Sequence, residues 1–200
     1  MGFFSYKHPI MARVYAYSHK YTLNPESTFK LIKTIVNLPK SAFVLDVGGG
    51  TGTHAEFFVG EGHKVVVLDP SKEMLAFIRN KTIIKRVGTA NNLPFENNSF
   101  DLVYCTDAFH HFSNGVNPKN WSKLYDVCVR ELLRVVKKGG KIAIAEFNPS
   151  CFRSRIFMFL EKPFGSCFFT AEQMTALFKK AGFDVKIHKY GFQYLAVIKK

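Results

Sequence analysis

The sequence predicts an α/β fold in which helices wrap a largely parallel sheet. Apolar runs with strand character alternate with helical patterns, which is typical of parallel strands joined by crossover helices. The run Ala42–Val47 leads at once into a glycine-rich turn. Ligands of open α/β sheets bind at the carboxyl edge, where such turns lie. With 200 residues and 47% hydrophobic content, the chain is long enough for one domain, residues 1–200, with a sizeable core.

Local signals place the individual elements. Asn24-Pro25-Glu26 is a typical helix start, and Thr170-Ala-Glu-Gln173 is a capping box. Gly139 and Gly140 are expected to end the helix before them. The last two strands have no room for a helix between them, so we expect an antiparallel hairpin. The predicted elements are a helix from Asn24 to about Leu38, a strand over Ala42–Val47, a short helix through Phe57 and Phe58, a strand over Lys64–Asp69, a helix over Ser71–Asn80, a strand over Ile83–Val87, a strand over Phe100–Thr106, a helix from about Asn120 to Val136, a strand over Lys141–Phe147, a helix from Thr170 through Phe178, and strands over Phe183–Lys189 and Phe192–Ile198.

Two acids and a set of glycines mark a nucleotide-type site. Asp46 lies near the end of the first strand, and glycines follow at 48, 49, 50 and 52. These glycines let the backbone turn sharply and expose its N–H groups to a flat, polar ligand. Asp69 ends the second strand, 23 residues after Asp46, where an acid can accept hydrogen bonds from both ribose hydroxyls. Residues 50–55 also fit the relaxed dinucleotide pattern Gly-x-Gly-x-x-Ala, so a nicotinamide cofactor stays open at this point.

The motifs together resemble those of class I S-adenosylmethionine (SAM)-dependent methyltransferases. The spacing Asp-x-Gly-x-Gly-x-Gly from Asp46 is similar to their first motif, and an acid before the glycines favours SAM over nicotinamide. The stretch 88–101, Gly-Thr-Ala-Asn-Asn-Leu-Pro-Phe-Glu-Asn-Asn-Ser-Phe-Asp, resembles the signature of the ubiquinone and menaquinone C-methyltransferase-like (Methyltransf_11-like) branch. With the segment 130–140, the resemblance runs in order from about residue 40 to the end of the chain. It implies a Rossmann-like sheet of order 3-2-1-4-5-7-6 with an antiparallel last strand and helices on both faces.

The resemblance also assigns a cofactor site, with SAM as cofactor and S-adenosylhomocysteine as product. Asp46 and the glycine turn would hold the methionine end, Asp69 would bind the ribose, and the backbone N–H of Ala90 would meet the adenine. Where the family usually has Asp or Asn, this chain has Thr89, so we expect somewhat weaker cofactor binding unless Asn91 substitutes. The cofactor-binding residues implied are Asp46, Gly48, Gly50, Thr51, Gly52, Asp69, Pro70, Met74, Thr89, Ala90 and Thr106.

The acceptor side is less sharply defined. His110 and His111 lie where the resemblance places the methyl site, and His111 is the candidate general base, because imidazole titrates near neutrality; packing is the alternative role for either ring. His54 is interpreted as a surface or helix-cap residue. Residues 1–40, which include a tyrosine-bearing segment (Tyr6, Tyr15, Tyr17 and Tyr21), resemble a lid with the first helix. The phenylalanine-rich insertion 148–170 would either contact a flat or apolar acceptor or complete the core.

Charge and cysteine content limit the partners. The net charge is +13, but the lysines are spread singly, which favours a solvated surface over a nucleic-acid site. The same charge could attract an anionic substrate or hold the protein near an anionic membrane. The four cysteines are widely spaced, which favours reduced thiols in the cytoplasm over disulfides or a zinc site. No apolar run approaches the length of a membrane span, and no metal-ligand spacing is present.

These observations favour a SAM-dependent methyltransferase acting through carbon or oxygen on a small or medium organic acceptor. Three alternatives stay open: methylation of RNA or protein, a non-catalytic SAM-binding module, and a nicotinamide oxidoreductase. The sequence leaves the acceptor and the oligomeric state undetermined.

Overall fold

The computed structural model describes residues 24–161 and 165–200, which form one seven-stranded sheet with helices on both faces. The tyrosines of the predicted lid at positions 6, 15, 17 and 21 lie outside the described residues. The elements are α1 (Pro25–Val36), β1 (Phe43–Val47), α2 (Thr53–Gly60), β2 (Lys64–Asp69), α3 (Lys72–Leu75), β3 (Ile84–Val87), β4 (Phe100–Thr106), 3-10 turns at Phe109–His111 and Pro118–Asn120, α4 (Trp121–Val135), β5 (Val136–Phe147), α5 (Phe152–Glu161), α6 (Ala171–Lys180), β6 (Val185–Tyr190) and β7 (Gln193–Lys199).

The sheet topology confirms the predicted fold class. The strand order is β3-β2-β1-β4-β5-β7-β6. Strands β1 to β5 pair in parallel, and β7 runs antiparallel to both β5 and β6. The carboxyl ends of β1, β2, β4 and β5 therefore lie along one edge, which is the edge that carries the predicted site residues.

Alternation along the buried strands divides the core between the two faces of the sheet. Leu45 lies on the face covered by α4 and α6, where it belongs to a cluster with Leu132 and Phe178. Val44, its neighbour in β1, lies on the opposite face and packs in the cluster of α1 and α2 with Ile32. Successive strand side chains point to opposite faces, so one apolar run serves both layers of helices.

The prediction that Gly139 and Gly140 end the long helix is wrong. Helix α4 ends at Val135, and Val136 already has extended backbone angles. Both glycines lie inside β5 and pair with the end of the chain: Gly139 N–H donates to the carbonyl of Lys200 at 2.8 Å, and Lys200 N–H donates to that of Gly140 at 3.1 Å. The strand therefore begins five residues earlier than predicted, because its pairing partners lie far away in the sequence.

Two other helices are shorter than predicted, and one helix of the structure was not predicted. Helix α1 stops at Val36 because Asn37 adopts a left-handed conformation, with φ at 48°. The helix expected over Ser71–Asn80 is limited to α3, because the chain beyond it makes tight turns in which Phe77 N–H donates to the carbonyl of Met74. The insertion 148–170, for which no element was predicted, contains α5. Asn24 does cap α1, and the capping box at Thr170 and Gln173 is confirmed.

No helix within the described ranges is long and apolar enough to cross a membrane.

Candidate functional site

The glycine turn between β1 and α2 has a backbone shape that few other residues could adopt. Gly48, Gly50 and Gly52 have φ values of +75°, +52° and +75°, in the region that L side chains rarely occupy. The N–H of Gly48 donates to the carbonyl of Leu68 at 2.7 Å, which fixes the turn against the end of β2. A Cβ on Gly48 would lie only 2.7 Å from that of Ala108. The turn is therefore packed from both sides, and its glycine positions leave little room for a side chain.

Asp69 connects the end of β2 to this turn. Its Oδ2 accepts a hydrogen bond from Gly50 N–H at 3.0 Å, and its Oδ1 accepts one from Ser71 N–H at 2.8 Å. Burial raises the pKa of Asp69 to about 6, and the two backbone hydrogen bonds oppose this shift. The carboxyl group is thus positioned between the glycine turn and α3, with lone pairs left for further donors.

We call the Asp46 side chain, residues 48–52 and Asp69 together the cradle. Asp46 is the more deeply buried of its two acids. It is 1% exposed, and its Oδ2 accepts a hydrogen bond from the Tyr104 hydroxyl at 2.6 Å. Its Oδ1 has no hydrogen-bond partner among the described residues. Burial, followed by the nearby charge of Asp69, raises the pKa of Asp46 to about 7, although the Tyr104 hydrogen bond opposes the shift. Because an unpaired buried carboxylate oxygen is costly, this atom suits a ligand that brings a positive charge or a donor.

The residues predicted to meet the nucleoside lie next to Asp69. Met74 is buried, and its methyl group would lie 3.2 Å from a Cβ on Gly50, whereas Pro70 is exposed. Ala90 is buried, and Thr89 is exposed with its hydroxyl donating to Asn91 Oδ1 at 2.6 Å. The two polar side chains that could replace the usual acid therefore bind each other.

Two threonines of the predicted cofactor set have short-range partners. The Thr51 hydroxyl lies 3.1 Å from that of Thr53. Thr106, at the tip of β4, lies with its hydroxyl 3.1 Å from Nδ1 of His54. His54 is buried rather than on the surface, contrary to the sequence-based interpretation. This contact joins β4 to the first turn of α2.

The two histidines after β4 have different surroundings. His110 is buried with its Nδ1 2.7 Å from Oε2 of Glu146, near the end of β5. Burial lowers the pKa of His110 and raises that of Glu146, although backbone hydrogen bonds to the carboxylate oppose the second shift. Phe168 stacks on the His110 ring, with centroids 4.5 Å apart. His110 is therefore a packed residue, in keeping with the alternative that the sequence left open.

His111 is only half-buried and borders the same edge. Its Nδ1 lies 3.2 Å from the hydroxyl of Ser166 and 3.2 Å from Nδ2 of Asn114. Which ring nitrogen carries the hydrogen depends on the tautomer, so these contacts hold the ring at Nδ1 without fixing its role. The role of His111 as a general base stays a prediction.

Three buried polar residues at this edge were missed by the sequence reasoning. Asp107 has φ at +51°, and its Oδ1 accepts a hydrogen bond from Gln193 Nε2 at 2.5 Å. Burial and the nearby Glu146 raise the pKa of Asp107 well above its ordinary value. Glu146 is the single acid of the run Ile142–Phe147, so the signal that identified Asp46 and Asp69 could also have identified it. Tyr104 gave no such signal, because its contact with Asp46 depends on the pairing of β1 with β4.

The insertion divides its phenylalanines between two environments. Phe169 packs against the core, and Phe168 packs on His110. Phe152 and Phe159, on α5, are exposed. Both interpretations of the insertion thus account for only part of its aromatic residues. Among the residues that the structure describes, no group of His, Cys, Asp and Glu is arranged to hold a metal ion.

Comparison with known proteins agrees with this geometry. The model of the family described as a methyltransferase domain (Methyltransf_11) matches residues 45–144. A demethylmenaquinone methyltransferase of Renibacterium salmoninarum is 36% identical over 125 residues, which cover 62% of this chain and 48% of that protein. The uncharacterized methyltransferase YcgJ of Bacillus subtilis is 33% identical over 110 residues, or 52% of this chain and 40% of that protein. The chain thus spans about half or less of the length of these curated relatives.

Solved structures match over a larger share of the chain. A SAM-dependent methyltransferase of Thermotoga maritima, described as a possible histamine N-methyltransferase, has a TM-score of 0.74 at 22% identity and covers 97% of this chain and 98% of its own. The protein solved in complex with the Trm112 methyltransferase activator of Haloferax volcanii has a TM-score of 0.75 at 17% identity, covering 97% and 95%. At these identities the likeness shows the fold alone. The family match shows more: the chain belongs to the Methyltransf_11 family of class I SAM-dependent methyltransferases, in the branch that is similar to the menaquinone and ubiquinone C-methyltransferases.

Proposed function

We propose that this chain binds SAM in the cradle and transfers its methyl group to a small or medium organic acceptor, on carbon or oxygen, at the ends of β4 and β5. The observation that carries the proposal is Oδ1 of Asp46, which has no hydrogen-bond partner among the described residues and lies beside a turn whose glycines leave little room for side chains. Such a place fits a ligand that is flat, rich in donors and positively charged. SAM has all three properties, and when bound it supplies an electrophilic methyl group on a sulfonium.

The proposed binding roles follow from the hydrogen-bonding capacity that remains on each group. Asp46 Oδ1 accepts a hydrogen bond or faces the positive charge of the methionine end, with Gly48, Gly50, Thr51 and Gly52 alongside. The free lone pairs of Asp69 accept the ribose hydroxyls. Pro70, Met74, Thr89, Ala90 and Thr106 complete the proposed cofactor set around the adenine and at the tip of β4.

On the acceptor side, we propose His111 as the general base that takes the proton released when a carbon or oxygen atom of the acceptor receives the methyl group. Ser166 and Asn114 contact the ring at Nδ1 and would hold it in place. The buried pair of His110 and Glu146 keeps the edge rigid and excludes water. Besides the removal of this proton, methyl transfer needs little more than a fixed approach in a dry site.

The nature of the acceptor is inferred from chemistry and relatives. Several relatives are named demethylmenaquinone methyltransferases, and aromatic rings surround His110 in this chain. Both favour a flat organic acceptor. We further propose that residues 1–200 act as one domain in the cytoplasm, where the free cysteines Cys105, Cys128, Cys151 and Cys167 stay reduced.

Calorimetric titration tests the cofactor proposal directly. Purified protein is titrated with SAM, S-adenosylhomocysteine and NADH, and we expect binding of the first two only. Asp69→Ala should weaken SAM binding by about 10- to 100-fold, the equivalent of one or two charge-assisted hydrogen bonds, whereas the exposed Asp184→Ala should leave it unchanged. Binding of NADH without SAM would identify a nicotinamide protein instead.

Label transfer separates catalysis from binding. Protein with methyl-labelled SAM is incubated with a small-molecule cell extract and, separately, with total RNA and total protein. We expect label in the small-molecule fraction. Label only in RNA or protein would support those acceptors, and SAM binding without any transfer would support a non-catalytic module.

A further inference from the structure

Helix α5 presents a row of apolar side chains to solvent. Phe152, Ile156 and Phe159 are 75%, 52% and 71% exposed. They are spaced four and three residues apart and therefore share one face of the helix. We call these three residues the α5 stripe. The other large exposed apolar residues in the described part of the chain, Ile84 and Val87, lie on the edge strand β3.

The opposite face of α5 is fixed to the protein. Ser154 is fully buried, and its hydroxyl donates to the carbonyl of Phe192 at 2.5 Å, in the turn between β6 and β7. This turn lies beside the end of β5, since Asn148 N–H also donates to Phe192 O. The α5 stripe is therefore held outward, next to the edge where we propose that the acceptor binds.

The charge around the stripe is positive. Residues 148–170 contain three basic residues and one acid. Arg155 is exposed and lies three residues after Phe152 and four before Phe159, so it shares their side of the helix. The whole chain has 28 Lys and Arg against 15 Asp and Glu. Apolar side chains flanked by arginine on a basic protein are the features by which interfacial helices bind anionic bilayers.

We propose that the α5 stripe docks on the surface of an anionic lipid bilayer. The size of the stripe argues for a lipid surface over a protein. Three side chains at these exposures offer on the order of 400 Å² of apolar area, about half of what one partner contributes to a standard protein interface. A bilayer needs no matching surface, because the side chains insert among the headgroups and acyl chains. Docking there turns the edge that carries His111 toward molecules dissolved in the membrane.

Vesicle sedimentation with the full chain tests this. Wild type is mixed with vesicles of phosphatidylcholine alone and with vesicles that also contain phosphatidylglycerol. We expect binding to the anionic vesicles and little to the neutral ones. The triple variant F152S/I156S/F159S should lower the partition coefficient on anionic vesicles by at least about tenfold. Val87→Ser removes a similarly exposed apolar side chain from β3 and should not change it. Arg155→Glu should weaken binding to the anionic vesicles.

The outcomes separate docking from folding and from methyl transfer. SAM affinity is measured for every variant, and an unchanged value shows an intact fold. If the triple variant does not fold, the single variants Phe152→Ser and Phe159→Ser are used, and each should lower the partition coefficient on anionic vesicles by about threefold. Equal vesicle binding by wild type and stripe variants overturns the proposal, as does absence of binding to anionic vesicles. A dimer on gel filtration that the stripe variants dissociate would assign the stripe to a second copy and also overturn it. A wild-type chain that binds vesicles but not SAM would refute the proposed function and leave the docking standing.

Discussion

Substitution of Gly49 by alanine tests whether the cradle is as tightly built as its geometry indicates. Unlike its neighbours Gly48 and Gly50, Gly49 has no positive φ, so its backbone conformation is open to alanine. The new Cβ would nevertheless lie 2.5 Å from Oδ2 and 2.8 Å from Oδ1 of Asp46. The substitution therefore adds one steric conflict with one carboxyl group and leaves the backbone geometry unstrained.

The expected loss of stability follows from the displacement that the new Cβ would impose on the Asp46 carboxyl. An ordinary contact would require the carboxyl to shift by about 1 Å, yet Asp46 is buried and its hydrogen bond with the Tyr104 hydroxyl is only 2.6 Å long. Overpacking a core costs about 1–3 kcal/mol, and loss of a hydrogen bond to a charged group costs about 1.5–3 kcal/mol. We expect Gly49→Ala to lower the free energy of unfolding by about 3 kcal/mol, and to weaken SAM binding.

A double-mutant cycle measured by urea unfolding isolates the conflict. The four proteins are wild type, Gly49→Ala, Asp46→Ala and the double variant. With the carboxyl removed, we expect Gly49→Ala to cost less than about 1 kcal/mol. Gly60→Ala is the matched control, because a Cβ there meets nothing within 4 Å, and its effect should stay within about 1 kcal/mol. Equal costs of Gly49→Ala in both Asp46 backgrounds would refute the reasoning, since the conflict would then not lie with this carboxyl.

Four further predictions concern the same edge. Because the pKa of Asp69 is raised to about 6, SAM affinity measured by calorimetry should fall as the pH is lowered through 6, by up to about tenfold per pH unit, and Asp69→Asn should remove this part of the dependence. The same raised pKa means that the folded state binds this proton more tightly than the unfolded state does. The stability contributed by Asp69 should therefore fall as the pH rises from about 4 to about 6 and stay constant above pH 6. A series of urea unfolding curves in which wild type, compared with Asp69→Asn, shows the opposite slope would contradict this prediction. Glu146→Ala should cost about 2 kcal/mol in urea unfolding, because it leaves Nδ1 of the buried, neutral His110 ring without its partner, while Glu146→Gln should cost clearly less. Thr89→Asp should tighten SAM binding about three- to tenfold, because it restores the acid that the resemblance leads one to expect; unchanged affinity would mean that Thr89 does not face the adenine.

The sequence correctly predicted the elements whose ends are set by local chemistry. It failed for the elements whose ends are set by pairing with residues far away in the chain. Strands β2 and β4 have the predicted bounds because each is a buried apolar run that ends in a polar residue. The start of β5 was wrong because Gly139 and Gly140 pair with Lys200, some 60 residues away. Helix α5 was missed because its sequence lacks a polar face of the usual width, and its orientation depends on the bond from Ser154 to Phe192.

The same division holds within the candidate site. Asp46 and Asp69 were found because an acid that closes an apolar strand is unusual and informative. The hydrogen bond from Tyr104 to Asp46 was not found, because it joins residues 58 positions apart and requires the register of β1 on β4. That register gives Asp46 one satisfied and one unsatisfied oxygen, which is the asymmetry on which the proposed cofactor site depends.

Three strands of the sheet carry a buried acid as their last or next-to-last residue, and the different partners of these acids divide the edge into two halves. Asp46 and Asp69 both border the glycine turn, and one of their four oxygens lacks a partner among the described residues. Glu146 is instead paired with His110 and capped by backbone N–H groups. A buried carboxylate without a full set of donors destabilises the folded protein, and burial raises the pKa of Asp46 to about 7; the proposed ligand would complete its set of donors, whereas Glu146 already has its partners. We therefore propose that the half at β1 and β2 receives the charged molecule and that the half at β4 and β5 stays rigid beside it.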